Sequence, residues 1–258
     1  MRILTWNVNG LRAAIRKGFE RHIDRLRPDV MMLQEVRALP EQLPDAWCEP
    51  EDWHVLWHPA EKKGYSGVAT FSRTPLKQIA TGIDGADDPE GRVLFTRTDD
   101  VDLLNIYLPS GSSSDAAQVK KNQWMDAFTP FAATLRRRRR ALVLAGDLNI
   151  ARSPHYIFHW RSNQTTSGFL PHEREWMDAL VGTGWTDLIR ERFKDQDGPY
   201  TWWSNRGQAR ALDRGWRIDY MLTNPAASRR ISNVFVDREA GLEVSDHAPV
   251  VIDLDPVE

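Results

Sequence analysis

The sequence predicts a mixed α/β fold, with β-sheets covered by helices, in one domain spanning residues 1–258. Short apolar segments with strand character alternate with segments whose apolar residues recur at helical spacings of three and four. Between residues 53 and 107, several strand segments follow one another without a helix, which predicts antiparallel hairpins and excludes a purely parallel sheet. No repeat, low-complexity tract or long linker divides the chain.

Three long helices are predicted, and each has its own signal. Residues 11–26 place Leu11, Ile15, Phe19, Ile23 and Leu26 on one face, and the helix must end before Pro28. Residues 116–135 align Trp124, Phe128, Phe131 and Leu135, with a kink expected at Pro130. Residues 174–181 form the third. The predicted strands are 2–8, 30–33, 53–57, 67–71, 93–96, 103–107, 141–145, 216–222, 231–236 and 250–254.

Composition indicates an ordinary soluble protein, with 41% hydrophobic and 27% charged residues. No apolar run approaches the roughly 20 residues of a membrane helix, and the first ten residues lack the pattern of a secretory signal. Cys48 is the one cysteine, so no intramolecular disulfide is possible. We therefore expect an intracellular, most simply cytoplasmic, monomer that is not secreted. The net charge of −2 argues weakly against a DNA-binding protein, unless carboxylates cluster around a metal ion.

Polar residues repeatedly follow the last apolar residue of a predicted strand. They are Asn7, Glu35, Tyr107, Asp147 and Asn149. In layered α/β proteins this edge of the sheet is where binding sites are built. The sequence therefore predicts that separate strands bring these side chains to one cleft.

Glu35 and the Asp147–Asn149 pair are the first candidates for chemistry. A carboxylate directly after a buried strand suits a hard cation such as Mg²⁺, although Glu35 could instead pair with Arg37. Asp147 and Asn149 point to the same side, so the carboxylate could orient or deprotonate water while the amide donates to phosphate. The alternative is an aspartate-initiated turn with both side chains capping their own backbone.

Asp219, Asp246, His247 and Tyr107 complete the candidate set. An aspartate that accepts from one histidine nitrogen favours the protonated ring, so Asp219 and His247 could together stabilise charge on a phosphoryl group. Asp246 could hold a metal ion or its water, and the phenol of Tyr107 could donate to phosphate. A structural Asp–His pair and a tyrosine at the core rim remain the alternatives. Together these residues supply what metal-assisted phosphodiester hydrolysis requires.

The sequence resembles the exonuclease III-type AP endonucleases, within the superfamily that also holds DNase I, sphingomyelinases and inositol-polyphosphate phosphatases. The matching stretches run from residue 5 to residue 250: TWNVNGLRAAIRKGF, LQEVRA, KKGYSGVATFSR, EGRV, IYLPSG, GDLNIA, SGFLPHEREW, YTWWSNRGQA, GWRIDYML and SDHAPV. The resemblance implies a DNase I-like, four-layered α/β sandwich: two mainly antiparallel β-sheets packed face to face and flanked by helices.

The resemblance also implies roles for the candidate residues. Mg²⁺ or Mn²⁺ would lie at Glu35, with Asn7 and Asp246 close by, and Asp147 and Asn149 at its margin. Asp147 would position or activate the attacking water, and Asn149, Asn7 and Tyr107 would hold the scissile phosphate. His247, oriented by Asp219, would stabilise the transition state. The product would carry a free 3′-hydroxyl on the 5′ side of the abasic sugar.

Other segments are expected to select DNA. In similar enzymes, the positions of Trp202, Trp216 and Ile218 wall a small apolar pocket for a flipped-out abasic sugar, although these side chains could also be core. Basic residues could neutralise flanking phosphates, and residues of nearby loops could contact DNA beside the site. The further candidates are Arg12, Arg16, Lys17, Lys62, Lys63, Tyr65, Ser110, Arg152, His159, Asn163, Arg206 and Arg210. The loop 152–166 departs from the family pattern, which leaves open the balance between abasic-site incision and 3′-end processing.

The predicted function is a DNA-repair phosphodiesterase that incises duplex DNA 5′ to abasic sites and processes 3′ ends. A 3′-end-processing exonuclease with weak abasic-site incision is the alternative within the same family. A superfamily phosphatase or phospholipase and a non-catalytic DNA-binding module are two further alternatives. The arginines 136–140 are expected to lie away from the cleft, because they precede a strand whose far end carries Asp147.

Overall fold

Two six-stranded β-sheets form the centre of the protein in the computed structural model, which describes residues 1–256. The strands are β1 (Arg2–Asn7), β2 (Val30–Gln34), β3 (His54–His58), β4 (Val68–Ser72), β5 (Lys77–Thr81), β6 (Val93–Arg97), β7 (Asp102–Tyr107), β8 (Leu142–Asp147), β9 (Thr186–Asp187), β10 (Asp219–Thr223), β11 (Ile231–Val236) and β12 (Val250–Leu254). The helices are α1 (Leu11–Arg16), α2 (Phe19–Leu26), α3 (Asp45–Cys48), α4 (Asp115–Arg136), α5 (Pro171–Gly182), α6 (Leu188–Phe193), α7 (Pro225–Ser228) and α8 (Arg238–Val244).

The two sheets share one pattern of strand pairing. The first has the order β11-β12-β1-β2-β4-β3 and the second β5-β6-β7-β8-β10-β9. Within each sheet one central pair is parallel, β1 with β2 and β7 with β8. The other strand pairs are antiparallel. The predicted mixed, mainly antiparallel architecture is therefore confirmed.

Alternation along the strands produces the layers. In β8, Val143 and Ala145 face the cluster between the sheets, whereas Leu142 and Leu144 face the cluster under α4 and α5. The first sheet packs its other face against apolar residues of α1, α2 and α8. The order helices, sheet, sheet, helices is the predicted four-layered sandwich. No helix within residues 1–256 is long and apolar enough to cross a membrane.

The same alternation positions the candidate site. Ile3 faces the space between the sheets, so Asn7, four residues further along β1, faces it too. Asp147 has the parity of Val143 at the end of β8, and β-pairing places Asp219 of β10 directly opposite it. Tyr107 lies beside Asp147 on the other flank, through the pairing of β7 with β8. Adjacent strand ends thus bring these side chains to one edge of the sandwich.

Several predicted elements differ from the structure. The single helix predicted for 11–26 is two helices, because Gly18 adopts a left-handed φ of 93° between them. The strand predicted from residue 216 begins at Asp219, since Trp216 instead forms isolated bridges with Ile157 and Trp202. Strand β5 and helices α6 and α8 were not predicted. Pro130 lies inside the continuous helix α4, and the kink expected there stays a prediction.

Candidate active site

A cleft of about 410 Å³ opens at the strand ends of the two sheets. Its lining residues are Asn9, Glu35, Arg37, Tyr107, Ser110, Ser112, Asp147, Asn149, Thr166, Ser167, Gly168, Trp202, Trp216, Ile218, Asp246 and His247. Asn7 and Asp219, which are fully buried, contact this lining from behind. The expected meeting of dispersed acidic, amide, phenol and imidazole groups in one cavity is therefore observed.

The amide of Asn7 connects the two sheets at the floor of the cleft. Its Nδ2 donates to Glu35 Oε2 and to Asp147 Oδ2, and the donor–acceptor distance is 2.9 Å in both hydrogen bonds. Its Oδ1 accepts from the backbone N–H of Asn9 at 3.0 Å. Because both hydrogens of Nδ2 are used inside the protein, Asn7 spaces the two carboxylates and has no N–H left to offer a phosphate.

Asp147 and Asn149 form a tight turn at the end of β8. The backbone N–H of Asn149, at a left-handed φ of 50°, donates to Asp147 Oδ1 at 2.8 Å. The Asn149 Nδ2 donates to Leu108 O at 2.8 Å and approaches Asp147 Oδ2 at 3.3 Å. The aspartate-initiated turn and the active-site geometry therefore coexist, and the longer amide contact is the one that a phosphate oxygen could replace.

His247 and Asp219 form a buried pair next to Asp147. Nδ1 of His247 lies 2.9 Å from Asp219 Oδ2, while Nε2 lies 3.9 Å from Asp147 Oδ2. Burial lowers the pKa of His247, but the carboxylates of Asp219 and Asp147 outweigh it and raise the pKa to about 10. His247 is therefore protonated at neutral pH and directs an N–H into the cleft.

The pKa of Asp147 is raised to about 7, primarily by burial. His247 counteracts this rise, the nearby Asp219 adds to it, and the hydrogen bonds from Asn149 and Asn7 again lower it. A carboxylate with a pKa near neutrality is suited to accept a proton from water at that pH.

Tyr107 presents a protonated phenol to the same space. Burial, and then the negative charges of Glu35 and Asp147, raise its pKa well above the ordinary value, although Arg92 opposes the shift. The Arg92 guanidinium carbon lies 4.7 Å from the centre of the Tyr107 ring, and its Nη1 donates to Tyr107 O at 3.0 Å. The phenol therefore acts as a neutral hydrogen-bond donor.

Glu35 and Asp246 are two further carboxylates that line the cleft. Glu35 Oε1 accepts a hydrogen bond from Arg37 Nε at 3.1 Å. The Glu35–Arg37 pair, which was the alternative interpretation of the sequence, is therefore present in the same cleft. Asp246 accepts from Asn9 Nδ2 at 2.8 Å and from Trp202 Nε1 at 3.1 Å. Burial raises the pKa of Asp246, but the charge of His247 and these hydrogen bonds lower it below its ordinary value.

Two sets of side chains could hold a cation. Asp147, Asp219 and His247 offer ligand atoms within 4.8 Å of one another. However, Asp219 and His247 already satisfy each other, and a protonated imidazole cannot bind a metal ion. Glu35 and Asp246 supply only hard oxygen ligands at the cleft. This second set fits Mg²⁺ or Mn²⁺ better.

An apolar wall faces these polar groups. The rings of Trp202 and Trp216 lie 6.1 Å apart and nearly perpendicular, and Ile218 lines the cleft beside them. Isolated β-bridges join Trp202 to Trp216 and to His247, and they hold this apolar wall next to the candidate catalytic histidine. The three side chains line the cleft although Ile218 is only 6% exposed, so they serve as its wall and as part of the core.

The other predicted DNA-contacting residues lie outside this cleft, except Ser110, which lines it. They are Arg12, Arg16, Lys17, Lys62, Lys63, Tyr65, Arg152, His159, Asn163, Arg206 and Arg210, and their contacts with DNA stay predictions. Arg152 Nε donates to Asp178 at 2.6 Å, and Asn163 Nδ2 donates to His159 O at 2.8 Å. Arg210 Nη2 donates to the carbonyl oxygens of Leu242 and Ser245 at the end of α8, so this nitrogen already has partners within the protein.

The arginine run lies at the other end of the second sheet. Arg138 and Arg140 pair with Asp102, which begins β7, whereas Tyr107 ends it at the cleft. The predicted location away from the active site is confirmed.

Sequence reasoning missed several cleft residues. Asn9, Ser112, Thr166, Ser167 and Gly168 line the cavity but were not proposed. Asn9 follows Asn7 by two residues, as Asn149 follows Asp147, and the same argument could have identified it. The others lie in loops that carry no strand-end signal.

Comparisons with known proteins show what this chain is similar to. The sequence pattern of the Endonuclease/Exonuclease/phosphatase family matches residues 4–247. An exodeoxyribonuclease of Bacillus subtilis is 34% identical, covering 97% of this chain and 98% of that protein. The DNA repair nuclease APEX1 of Danio rerio is also 34% identical, covering 98% of this chain and 81% of that protein.

Among solved structures, the 3′-5′ exonuclease NExo from Neisseria meningitidis superposes with a TM-score of 0.90 at 32% identity, covering 99% of this chain and 100% of that one. The fold, the site geometry and these relatives lead to one conclusion. The chain belongs to the Endonuclease/Exonuclease/phosphatase family, in its exonuclease III-type AP endonuclease branch.

Proposed function

We propose that this protein is a DNA-repair phosphodiesterase that incises duplex DNA 5′ to abasic sites and processes 3′ ends. The relatives identify it as a nuclease-type hydrolase of its family. One observation carries the proposal: the Asn7 amide bridges Glu35 and Asp147 in the cleft that also holds the His247–Asp219 pair. Carboxylates for a cation, a candidate base and a protonated histidine thus surround one reaction space.

The cation of the reaction is assigned to Glu35 and Asp246. The family depends on divalent metal ions, and we assign Mg²⁺ or Mn²⁺ on the basis of the hard oxygen ligands. When bound, the cation neutralises phosphate charge and polarises the phosphorus–oxygen bonds. Asn7 holds the Glu35 carboxylate through a hydrogen bond, and Asn149 and Asp147 would contribute at the margin of the cation site.

Asp147 orients the attacking water and accepts its proton. The water oxygen forms a bond to phosphorus, the bond from phosphorus to the 3′-oxygen breaks, and that oxygen takes a proton from solvent to become a 3′-hydroxyl. His247 Nε2 and the Tyr107 phenol donate to the phosphate oxygens as charge develops, joined by the Asn149 amide. Asp219 keeps the His247 ring protonated and oriented.

The surroundings of the cleft support DNA as the substrate. Trp202, Trp216 and Ile218 offer an apolar wall of the kind that receives a base-free sugar, and the exposed Arg12 and Lys17 are available for flanking phosphates. We further propose that the enzyme acts as an intracellular monomer. Within residues 1–256 the exposed large apolar side chains are four, Tyr65, Val119, Phe158 and Leu212, which lie far apart in the sequence.

The test compares three substrates under one condition. The protein is incubated with Mg²⁺ and a duplex bearing one abasic analogue, a duplex with a recessed 3′ end, or an inositol phosphate. Incision 5′ to the abasic analogue, abolished by EDTA and restored by Mg²⁺, is the expected result. Hydrolysis of the inositol phosphate without cleavage of DNA would contradict the proposal, as would DNA binding without any metal-dependent cleavage.

A 3′-end-processing enzyme with weak incision is the second candidate. The similarity to the 3′-5′ exonuclease NExo favours it, as does the Arg152–Asp178 pair, which engages a side chain expected to contact DNA. Faster digestion of the recessed 3′ end than of the abasic duplex in the same assay would select this candidate.

A further inference from the structure

A fully buried ion pair lies outside the reaction scheme but next to the cleft. Lys121 Nζ of α4 lies 2.6 Å from Glu173 Oε1 of α5, and both side chains are completely shielded from solvent. Buried charges of this kind are costly to desolvate, and replacing such a pair with neutral residues is often harmless to stability. Its contacts with cleft-lining segments suggest what else the pair does.

Lys121 holds the turn that carries the candidate base. Its Nζ donates to the backbone carbonyl of Asn149 at 2.9 Å. Asn149 has a left-handed φ and caps Asp147 through its own N–H. The ammonium group therefore fixes the orientation of the Asn149 peptide, although Lys121 itself does not line the cleft.

Glu173 holds a second wall of the cleft. Its Oε2 accepts from the backbone N–H of Gly168 at 2.7 Å and from that of Leu170 at 3.0 Å. Gly168 lines the cavity, and Leu170 precedes helix α5. The same carboxylate thus caps α5 and anchors the loop that ends in the cleft wall.

Gln118, one helical turn before Lys121, connects a third segment. Its Nε2 donates to Glu173 Oε1 at 3.0 Å, and its Oε1 accepts from the cleft residue Ser167 at 2.6 Å. A Cβ on Gly111 would lie 2.0 Å from Gln118 Oε1, so the turn between Ser110 and Ser112 packs directly on this amide.

We propose that Lys121, Glu173 and Gln118 are positioning residues that hold three walls of the cleft in fixed positions relative to one another. Lys121 determines the orientation of the turn that contains Asp147 and Asn149. This inference rests on the proposed nuclease function. The three residues touch no substrate. They act through backbone groups, and catalytic rates are sensitive to displacements of such groups by about 1 Å.

The double variant K121M/E173Q removes the contact between Lys121 and Asn149 without leaving Glu173 as an unpaired buried charge. It removes both buried charges, while the side-chain amide oxygen that replaces the Glu173 carboxylate can still accept from Gly168. The expected result on the abasic duplex is a fall in kcat of about 10- to 100-fold with KM changed by less than about three-fold. If the buried pair served stability alone, the double variant would have a lower melting temperature but would not show a fall in kcat at a nearly unchanged KM.

The matched control is K120M, which neutralises the adjacent lysine of α4, an exposed residue paired with Glu90. Its kcat should equal that of the wild type. A kcat of a cooperatively melting K121M/E173Q within about two-fold of the wild type would overturn the inference, as would an equal loss in K120M. If K121M/E173Q does not fold, K121Q/E173Q, whose amides can bond to each other, is judged by the same criteria. An inactive wild-type protein would instead refute the proposed function.

Discussion

At the residue scale, Asp147 and His247 share one electrostatic environment. His247 Nε2 lies 3.9 Å from Asp147 Oδ2, and each charge stabilises the other in a buried setting. The pKa of Asp147 is nevertheless raised to about 7 by burial, while that of His247 is raised to about 10 by Asp219 and Asp147 despite its burial. At a pH between about 7 and about 10, Asp147 is therefore negatively charged and His247 is positively charged. This is the charge state that a base beside a cationic hydrogen-bond donor requires.

Asp147→Asn tests the assignment of the base. The amide keeps the shape and can still accept the hydrogen bond from the Asn149 backbone, but it cannot take a proton from water. We expect kcat on the abasic duplex to fall by at least about 1,000-fold, at the upper end for single active-site groups. DNA affinity, measured by fluorescence anisotropy, should change little. Asp24→Asn, on the exposed face of α2, is the control, and wild-type turnover in Asp147→Asn would remove Asp147 from the mechanism.

Asp219→Asn tests the role of the His247 charge. A protonated His247 is present below its pKa and is lost as the pH rises through it, so the wild-type rate should fall on the alkaline side near pH 10. Burial alone lowers this pKa, and Asp219 is the main opposing charge. Its neutralisation should move the alkaline limb of the kcat–pH profile to lower pH. An unmoved limb would show that another group titrates there.

At the scale of elements, the close pairing of β7 and β8 sets the position of Asp147. Gly146 has a φ of 140°, and a Cβ at this residue would lie 1.9 Å from Ile106 O of the neighbouring strand. The strand can therefore reach the cleft at the correct depth only with glycine before Asp147.

Gly146→Ala should separate β7 from β8 at the cleft. We expect a loss of stability of about 2 kcal/mol or more, read from chemical denaturation, together with a large fall in kcat. Gly182→Ala is the matched control, because a Cβ there meets nothing within 4 Å and helix α5 tolerates alanine. That control should be neutral or slightly stabilising. Equal stability of the two variants would contradict the steric argument.

Sequence reasoning located elements whose burial dominates their composition, and it failed where tertiary context decides. Strands such as β2 and β8 are buried along their whole length, so their apolar runs sufficed. Strand β5 reads as a polar segment because it is a half-exposed edge strand. The prediction of one helix over 11–26 missed the break at Gly18, because the apolar periodicity continues across it.

The candidate site shows the same division. Strand-end residues such as Asp147 could be predicted, because a strand fixes where its last side chain points. Ser167 and Gly168 could not, since Glu173 and Gln118 on separate helices hold their loop against the cleft. The choice between structural and catalytic readings of Glu35 could not be made from sequence either, because the residue both pairs with Arg37 and lines the cleft.

At the scale of the whole molecule, charge is distributed unevenly despite the net value of −2. The exposed Arg12 lies on α1 and the exposed Lys17 directly follows it, close in sequence to the cleft residue Asn9, and neither makes an ion pair within residues 1–256. Arg137 and Arg139 are equally exposed but belong to the opposite end of the second sheet. The location of the basic side chains, and not the net charge of the protein, should therefore decide which of them contact DNA.

Salt dependence of DNA binding tests this distribution. Each phosphate contact contributes roughly 0.9 to the slope of log affinity against log salt concentration, so R12Q/K17Q should weaken binding and reduce that slope by about two. R137Q/R139Q removes the same charge at the far end and should leave the slope at the wild-type value. Anisotropy titrations of a short duplex at several salt concentrations, in Ca²⁺ to slow cleavage, provide both slopes. Equal reductions in the two variants would mean that net charge alone attracts DNA, and an unchanged slope in R12Q/K17Q would remove α1 and its C-terminal end from the interface.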